Sequence, residues 1–120
     1  MGSFKDLLAY KKAYQNAMDI FEISKSFPIE ERYSLTDQIR RSSRSVCANI
    51  GEAYRKRRYP AHFISKLTDA DAENSETSIW IDFSRDCRYI NETDHQRMLS
   101  SIMEVGNLLG KMMQDPGKFL

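Results

Sequence analysis

A chain of 120 residues, 41% hydrophobic and 29% charged, holds enough apolar material for one core and too little for two, so residues 1–120 read as a single domain. The formal net charge of +1 excludes a polycation; any affinity for nucleic acid must come from segregated charge. No apolar run approaches the roughly 18 residues needed to cross a bilayer, and the N-terminus has no apolar signal segment, so the expectation is a cytoplasmic protein without a membrane partner.

Leu7, Tyr10, Tyr14, Ala17, Phe21 and Ser24 recur at spacings of three and four, which predicts a helix from about Lys5 to Ser26 with these residues inward. Phe27-Pro28 ends it, because proline disfavours helix at the residue before it. A second helix runs from Leu35 to about Arg57, capped by Ser34 or Thr36. Its apolar seam is Leu35, Ile39, Val46, Ile50 and Ala53. Tyr59-Pro60 breaks it, and Pro60 suits the first position of a third helix reaching Cys87. Phe63, Leu67, Ala70, Asn74, Thr77, Ile81 and Ser84 keep the seam spacing there, with Asn74 a polar residue in the seam. Asn91 or Thr93 caps a fourth helix, whose apolar face carries Met98, Leu99, Ile102, Val105, Leu109, Met112 and Met113. Asp115-Pro116-Gly117 stops it. Short links, helical periodicity throughout and no strand signal predict an all-α, antiparallel up-and-down four-helix bundle. The expected core is Leu7, Phe21, Ile39, Val46, Ile50, Leu67, Ile81, Ile102 and Leu109.

Charge is divided between helices. On the second, Arg40, Arg44, Gly51, Arg55 and Arg58 fall on a face nearly opposite the seam, with Arg41, Lys56 and Arg57 nearby and only Asp37 and Glu52 to offset them. A merely solvated face mixes signs at i,i+4, so this stripe is a candidate phosphate-binding surface. The third helix is acidic, with Asp69, Asp71, Glu73, Glu76, Asp82 and Asp86 outnumbering Lys66 and Arg85. The two faces pair either within one subunit or across subunits. In the second case Asp69, Glu73 and Glu76 form an oligomer interface.

Catalytic and metal chemistry find little support. Glu92 and His95 have the Glu-x-x-His spacing of di-iron bundles, but such a site needs two copies and two more inward glutamates. Ser42, Ser43 and Ser45 sit in helical sequence, not on a strained elbow. The two histidines form no triad or dyad pattern, and the five glycines are dispersed and make no phosphate loop. Cys47 and Cys87 read as small buried residues without metal spacing. The expectation is a protein with no catalytic residues, no metal and no cofactor.

The chain resembles a family of small bacterial four-helix bundles encoded in intervening sequences of large-subunit ribosomal RNA genes, some of them labelled ribosomal proteins. The matching residues are Phe4-x-x-Leu7, Ala13, Phe27-Pro28, Glu31 and Tyr33. They continue with Leu35-Thr36-x-Gln38-Ile39-Arg40-Arg41-Ser42-Ser43, Ala48-Asn49-Ile50-Gly51-Glu52, Phe63, Glu76 and Tyr89-Ile90. The likeness extends from Phe4 to Leu109. Cys47 stands where the family commonly has proline, which removes an expected kink from the second helix, and Gly51-Glu52-Ala53 replaces the family's Ala-Glu-Gly. A related group resembles the accessory proteins of diversity-generating retroelements, pentameric bundles that bind nucleic acid and a reverse transcriptase. The resemblance thus implies a ring-like homo-oligomer, a pentamer in first place, with a basic surface and no established activity.

Two functional expectations follow. The first is a non-catalytic oligomeric bundle that binds nucleic acid, RNA favoured, through Arg40, Arg41, Arg44, Arg55, Lys56, Arg57 and Arg58. The alternative is a protein–protein adaptor or structural oligomer in which the basic helix pairs with Asp69, Glu73 and Glu76 of a neighbour.

Overall fold

The computed structural model describes residues 2–120. A short 3-10 turn, Phe4–Asp6, leads into α1 (Leu8–Ser24). A second 3-10 turn, Ile29–Glu31, leads into α2 (Leu35–Arg55), followed by α3 (Pro60–Asp86), α4 (Glu92–Gln114) and a final 3-10 turn, Pro116–Phe119. Each helix packs against two others in the cyclic order α1–α2–α3–α4, and α4 closes back on α1. This is the expected four-helix bundle, elongated at 44 × 25 × 21 Å. α2 runs without interruption through Cys47. No helix among the described residues is long and apolar enough to cross a membrane.

Helix ends are set by identifiable groups. Ser34 stands at the N-cap position of α2, but neither Ser34 nor Thr36 caps the helix by side chain. Glu31 does so: its Oε1 accepts from the Leu35 N–H at 3.3 Å and from Ser34 Oγ at 2.6 Å. Pro60 occupies the first turn of α3, where its missing N–H costs nothing. α3 ends in a Schellman motif, with the Tyr89 N–H donating to the Ser84 carbonyl at 2.9 Å and the Arg88 N–H to Arg85 at 2.8 Å. Arg88 takes the left-handed conformation there, at φ 65°. Asn91 caps α4 through Oδ1, which accepts from the Asp94 N–H at 2.7 Å.

The seams of α2 and α3 are buried as expected, and so is that of α4 except for Leu99 and Met113, which are only half-buried: Ile39, Ile50, Leu67, Ile81, Val105 and Leu109 are all fully enclosed. α1 differs. Its buried face is Ala9, Ala13, Ala17, Ile20 and Ser24, preceded by Leu7. Tyr10 and Phe21 are only half-buried and Tyr14 is 53% exposed, so Phe21 leaves the expected core. The inward face is thus the alanine face, because small side chains let the helix axes approach closely. Cys87, expected to be buried, is exposed, and Cys47 is half-buried.

The interior has two apolar compartments. One gathers Leu7, Val46, Ile50, Phe63, Leu67, Val105 and Leu109. The other gathers Ile20, Phe27, Leu35, Ile39, Ile81, Met98 and Ile102. Buried polar residues lie between them. Asn74 Nδ2 donates to the Ile102 carbonyl at 2.8 Å, and the Thr77 hydroxyl lies 2.8 Å from Ser42 Oγ and 2.9 Å from the Glu73 carbonyl. Asn74 therefore ties α3 to α4, and Thr77 ties α3 to α2, at mid-height.

Candidate nucleic-acid interface

α2 is the strongly amphipathic element of the bundle. Its seam faces inward and its cations radiate outward along the sides left open by α1 and α3. The seven basic residues do not share one environment: α2 ends at Arg55, short of the expected Arg57, so Lys56, Arg57 and Arg58 lie in the turn to α3 and Arg58 does not continue the helical stripe. Arg44, Arg55, Lys56 and Arg58 are exposed, and no carboxylate among the described residues lies within 4.0 Å of them. Arg41, also exposed, pairs loosely with Asp37 one turn back at 3.7 Å.

Arg40 and Arg57 are held by their own chain, unlike the free stripe expected. Arg40 is half-buried: its Nε donates to Ser24 Oγ at 2.8 Å, and its guanidinium stands 4.9 Å from the centre of the Phe21 ring. Arg57 donates to the Tyr54 carbonyl at 2.9 Å and covers the Tyr54 ring at 4.1 Å. Arg44 also stands over Phe21, at 5.8 Å, with its charge in solvent. A guanidinium over a ring face is stabilised by the ring quadrupole and keeps its outer N–H donors for an anion. Gly51 is buried beneath the Phe4 ring, so it serves packing and not the stripe.

Among the described residues the acids of α3 do not close on the arginines of α2 as ion pairs. The one ion pair between α2 and α3 runs in the opposite sense, from Lys66 of α3 to Glu52 of α2 at 2.7 Å. Asp69 reaches only Lys66, at 4.0 Å. Glu73 and Glu76 are half-buried neighbours. Desolvation, then Glu76, raises the Glu73 pKa above the ordinary carboxylate value, and the Arg41 charge opposes them only in part. Nearby on the outer side of α3, Ile79 and Phe83 are about half exposed.

Sequence reasoning missed an aromatic groove. Phe4, Tyr10, Tyr14, Met18 and Phe21 from the N-terminal turn and α1 face Arg44, Cys47 and Arg55 of α2 across a depression of about 690 Å³. Its floor is made of small residues, Ala17, Ala48 and Gly51. The signal that reveals it is the rival seam Ala9, Ala13, Ala17 and Ile20, which displaces the aromatic side chains to the flank. Burial holds the Cys47 thiol protonated, with its pKa raised to about 11, so it is no nucleophile at neutral pH.

His95 is 4% exposed, with Nε2 2.8 Å from Asp82 Oδ1 and Nδ1 3.8 Å from Glu92. Among the described residues no three His, Cys, Asp or Glu side chains are arranged to hold a metal.

Fold and surface together define a small all-helical bundle whose second helix carries an outward basic face beside an apolar groove. The sequence model of the 23S rRNA-intervening sequence protein matches residues 5–111, and the chain belongs to that family. It is also similar to a crystal structure at 1.70 Å of a protein with unknown function from the S23 ribosomal protein family of Bacteroides thetaiotaomicron VPI-5482. The TM-score is 0.80 at 27% identity, over 92% of this chain and 98% of that one. No curated protein matches the sequence.

Proposed function

We propose that this protein is a non-catalytic, cytoplasmic homo-oligomer, pentameric in first place, that binds nucleic acid through the basic face of α2 and the turn that follows it, with RNA favoured. The observation that carries this reading is the group Arg44, Arg55, Lys56 and Arg58, which is exposed and lacks carboxylate partners among the described residues. Arg40, Arg41 and Arg57 flank the group and extend the positive surface. Arginine grips phosphate through paired N–H donors, and such contacts fix position without reading sequence. The family's link to ribosomal RNA intervening sequences supports RNA over DNA.

The test is RNA binding measured across a salt series. Affinity should fall steeply with salt, because each neutralised phosphate releases counterions. Arg55→Ala with Arg58→Ala should weaken binding and reduce the slope by about one per lost contact. Binding that ignores salt, or survives this double replacement, overturns the reading.

A second reading, a protein–protein adaptor or structural oligomer, is favoured by the crowded acids Glu73 and Glu76 beside exposed Ile79 and Phe83. In it those acids, with Asp69, meet the arginines of a neighbouring subunit or another protein. The same double replacement would then dissociate the assembly on a sizing column.

A further inference from the structure

The basic face alone would serve any polyanion; the groove beside it is more selective. Tyr10, Tyr14, Met18 and Phe21 form a continuous apolar stripe along the flank of α1, parallel to Arg44 and Arg55 on α2. Tyr14 is 53% exposed and Met18 41%, a large apolar surface to leave in water beside free cations. The Tyr10 and Tyr14 rings are 6.1 Å apart and inclined by only 31°, so they present neighbouring faces. Small floor residues give the groove depth. Arg44 and Arg55 are separated by eleven positions, or about 16 Å along the helix axis.

We infer that this groove takes the unpaired bases of single-stranded RNA, which rest on Tyr14 and its neighbours while the flanking phosphates lie on Arg44 and Arg55. The inference rests on the nucleic-acid reading above and names the form of the ligand. A duplex presents its backbone and the edges of its base pairs, and has no free base faces for a row of rings. A single strand offers both partners at once: a π-face for each ring and a phosphate for each cation. The occupant has to be partly anionic, because Arg44 and Arg55 face only Glu52 among the groove residues. A second copy of the chain fits less well, since a stable interface uses roughly 20–30 residues a side and the groove is lined by far fewer.

The test compares three fluorescent probes on the full-length protein: a short single-stranded oligoribonucleotide, the same strand annealed to its complement, and the same strand with abasic sites. The intact single strand should bind at least several-fold more tightly than the other two. Tyr14→Ala should weaken single-strand binding by roughly 5- to 150-fold, the range of one lost base stack, and Tyr14→Phe should restore it. Ala48→Leu, which raises the floor without touching ring or charge, should have the same effect as Tyr14→Ala. Asn107→Ala, at an exposed position on α4, should change nothing. Circular dichroism keeps misfolded variants out of the comparison; Tyr14 and Ala48 are both exposed, so the fold does not depend on them. Equal binding of all three probes, insensitive to Tyr14 and Ala48, overturns base insertion and leaves the phosphate reading standing. No salt-dependent binding of any probe overturns both. Dissociation of an oligomer by Tyr14→Ala assigns the groove to a second copy and also overturns the inference.

Discussion

Glu31 joins three segments through one carboxylate. Oε1 accepts from Ser34 Oγ and the first N–H of α2, and Oε2 accepts from the Tyr89 hydroxyl at 2.8 Å. The Ser34 hydrogen bond first, then Tyr89 and the Leu35 N–H, hold the Glu31 pKa below the ordinary value, while the carboxylate pushes Tyr89 up to about 12. The signs follow from linkage. Glu31 stabilises the fold above the ordinary carboxylate range, and that contribution fades as pH falls through its lowered pKa. Tyr89 contributes below its ordinary pKa of 10.0, and the contribution fades as pH rises through about 12. In thermal melts across pH, Glu31→Gln should therefore lower Tm at neutral pH and flatten the acid limb. An unchanged acid limb would remove Glu31 from this role. Ile50, fully enclosed between α2 and its neighbours, gives the simpler test: Ile50→Ala should cost about 2–5 kcal/mol in a denaturant melt.

At the scale of the helix, two backbone positions carry opposite glycine preferences. Arg88 holds a left-handed conformation that costs an L-residue about 1–2 kcal/mol, and its site is the one glycine favours at a helix end. Gly110 lies inside α4 with nothing within 4 Å of where a Cβ would stand. Arg88→Gly and Gly110→Ala should each raise stability by about 1 kcal/mol. The sites are remote from each other in the chain, and the double variant should show the sum.

The same scale explains what the sequence made legible. α2 and α3 bury the residues their periodicity selects, and α4 buries all but Leu99 and Met113, because in each the selected residues form one continuous stripe. α1 has two stripes, one aromatic and one of alanines, and hydrophobicity favours the wrong one. The alanine stripe turns inward because its small side chains let neighbouring helices approach closely, a gain in packing that the hydrophobicity of α1 alone does not register. The arginine face was legible since few acids interrupt it. The groove was not, because the spacing of Tyr10, Tyr14 and Phe21 matches that of a buried seam. Nor could sequence distinguish Arg40 and Arg57 from Arg44 and Arg55: the partners that hold the first two, Ser24, Phe21 and the Tyr54 carbonyl, were identified only by packing and by the end of α2.

At the scale of the molecule, exposed Ile79, Phe83 and Met103 on α3 and α4 leave apolar surface outside the bundle. Light scattering should return a mass several times that of one chain, and a monomer at high concentration would refute the oligomer. Ile79→Asp with Phe83→Asp should lower that mass if α3 forms the contact.

The polar belt of Ser42, Asn74 and Thr77 has a consequence for cooperativity. Hydrogen bonds at mid-height hold the helices in register, and the buried residues that make them are polar. The two compartments are thus joined by continuous helices and a few directional bonds, and not by one unbroken apolar interior. Each half should then open while the other stays closed, since local stability follows local burial. Amide hydrogen exchange should then resolve two groups of slow protons, around Ile50, Leu67 and Leu109 and around Ile39, Ile81 and Ile102. Thr77→Val should leave Ser42 without its buried partner and loosen the belt, changing the protection of one group relative to the other. A single exchange rate for both groups would mean that the belt transmits the whole stability of one half to the other.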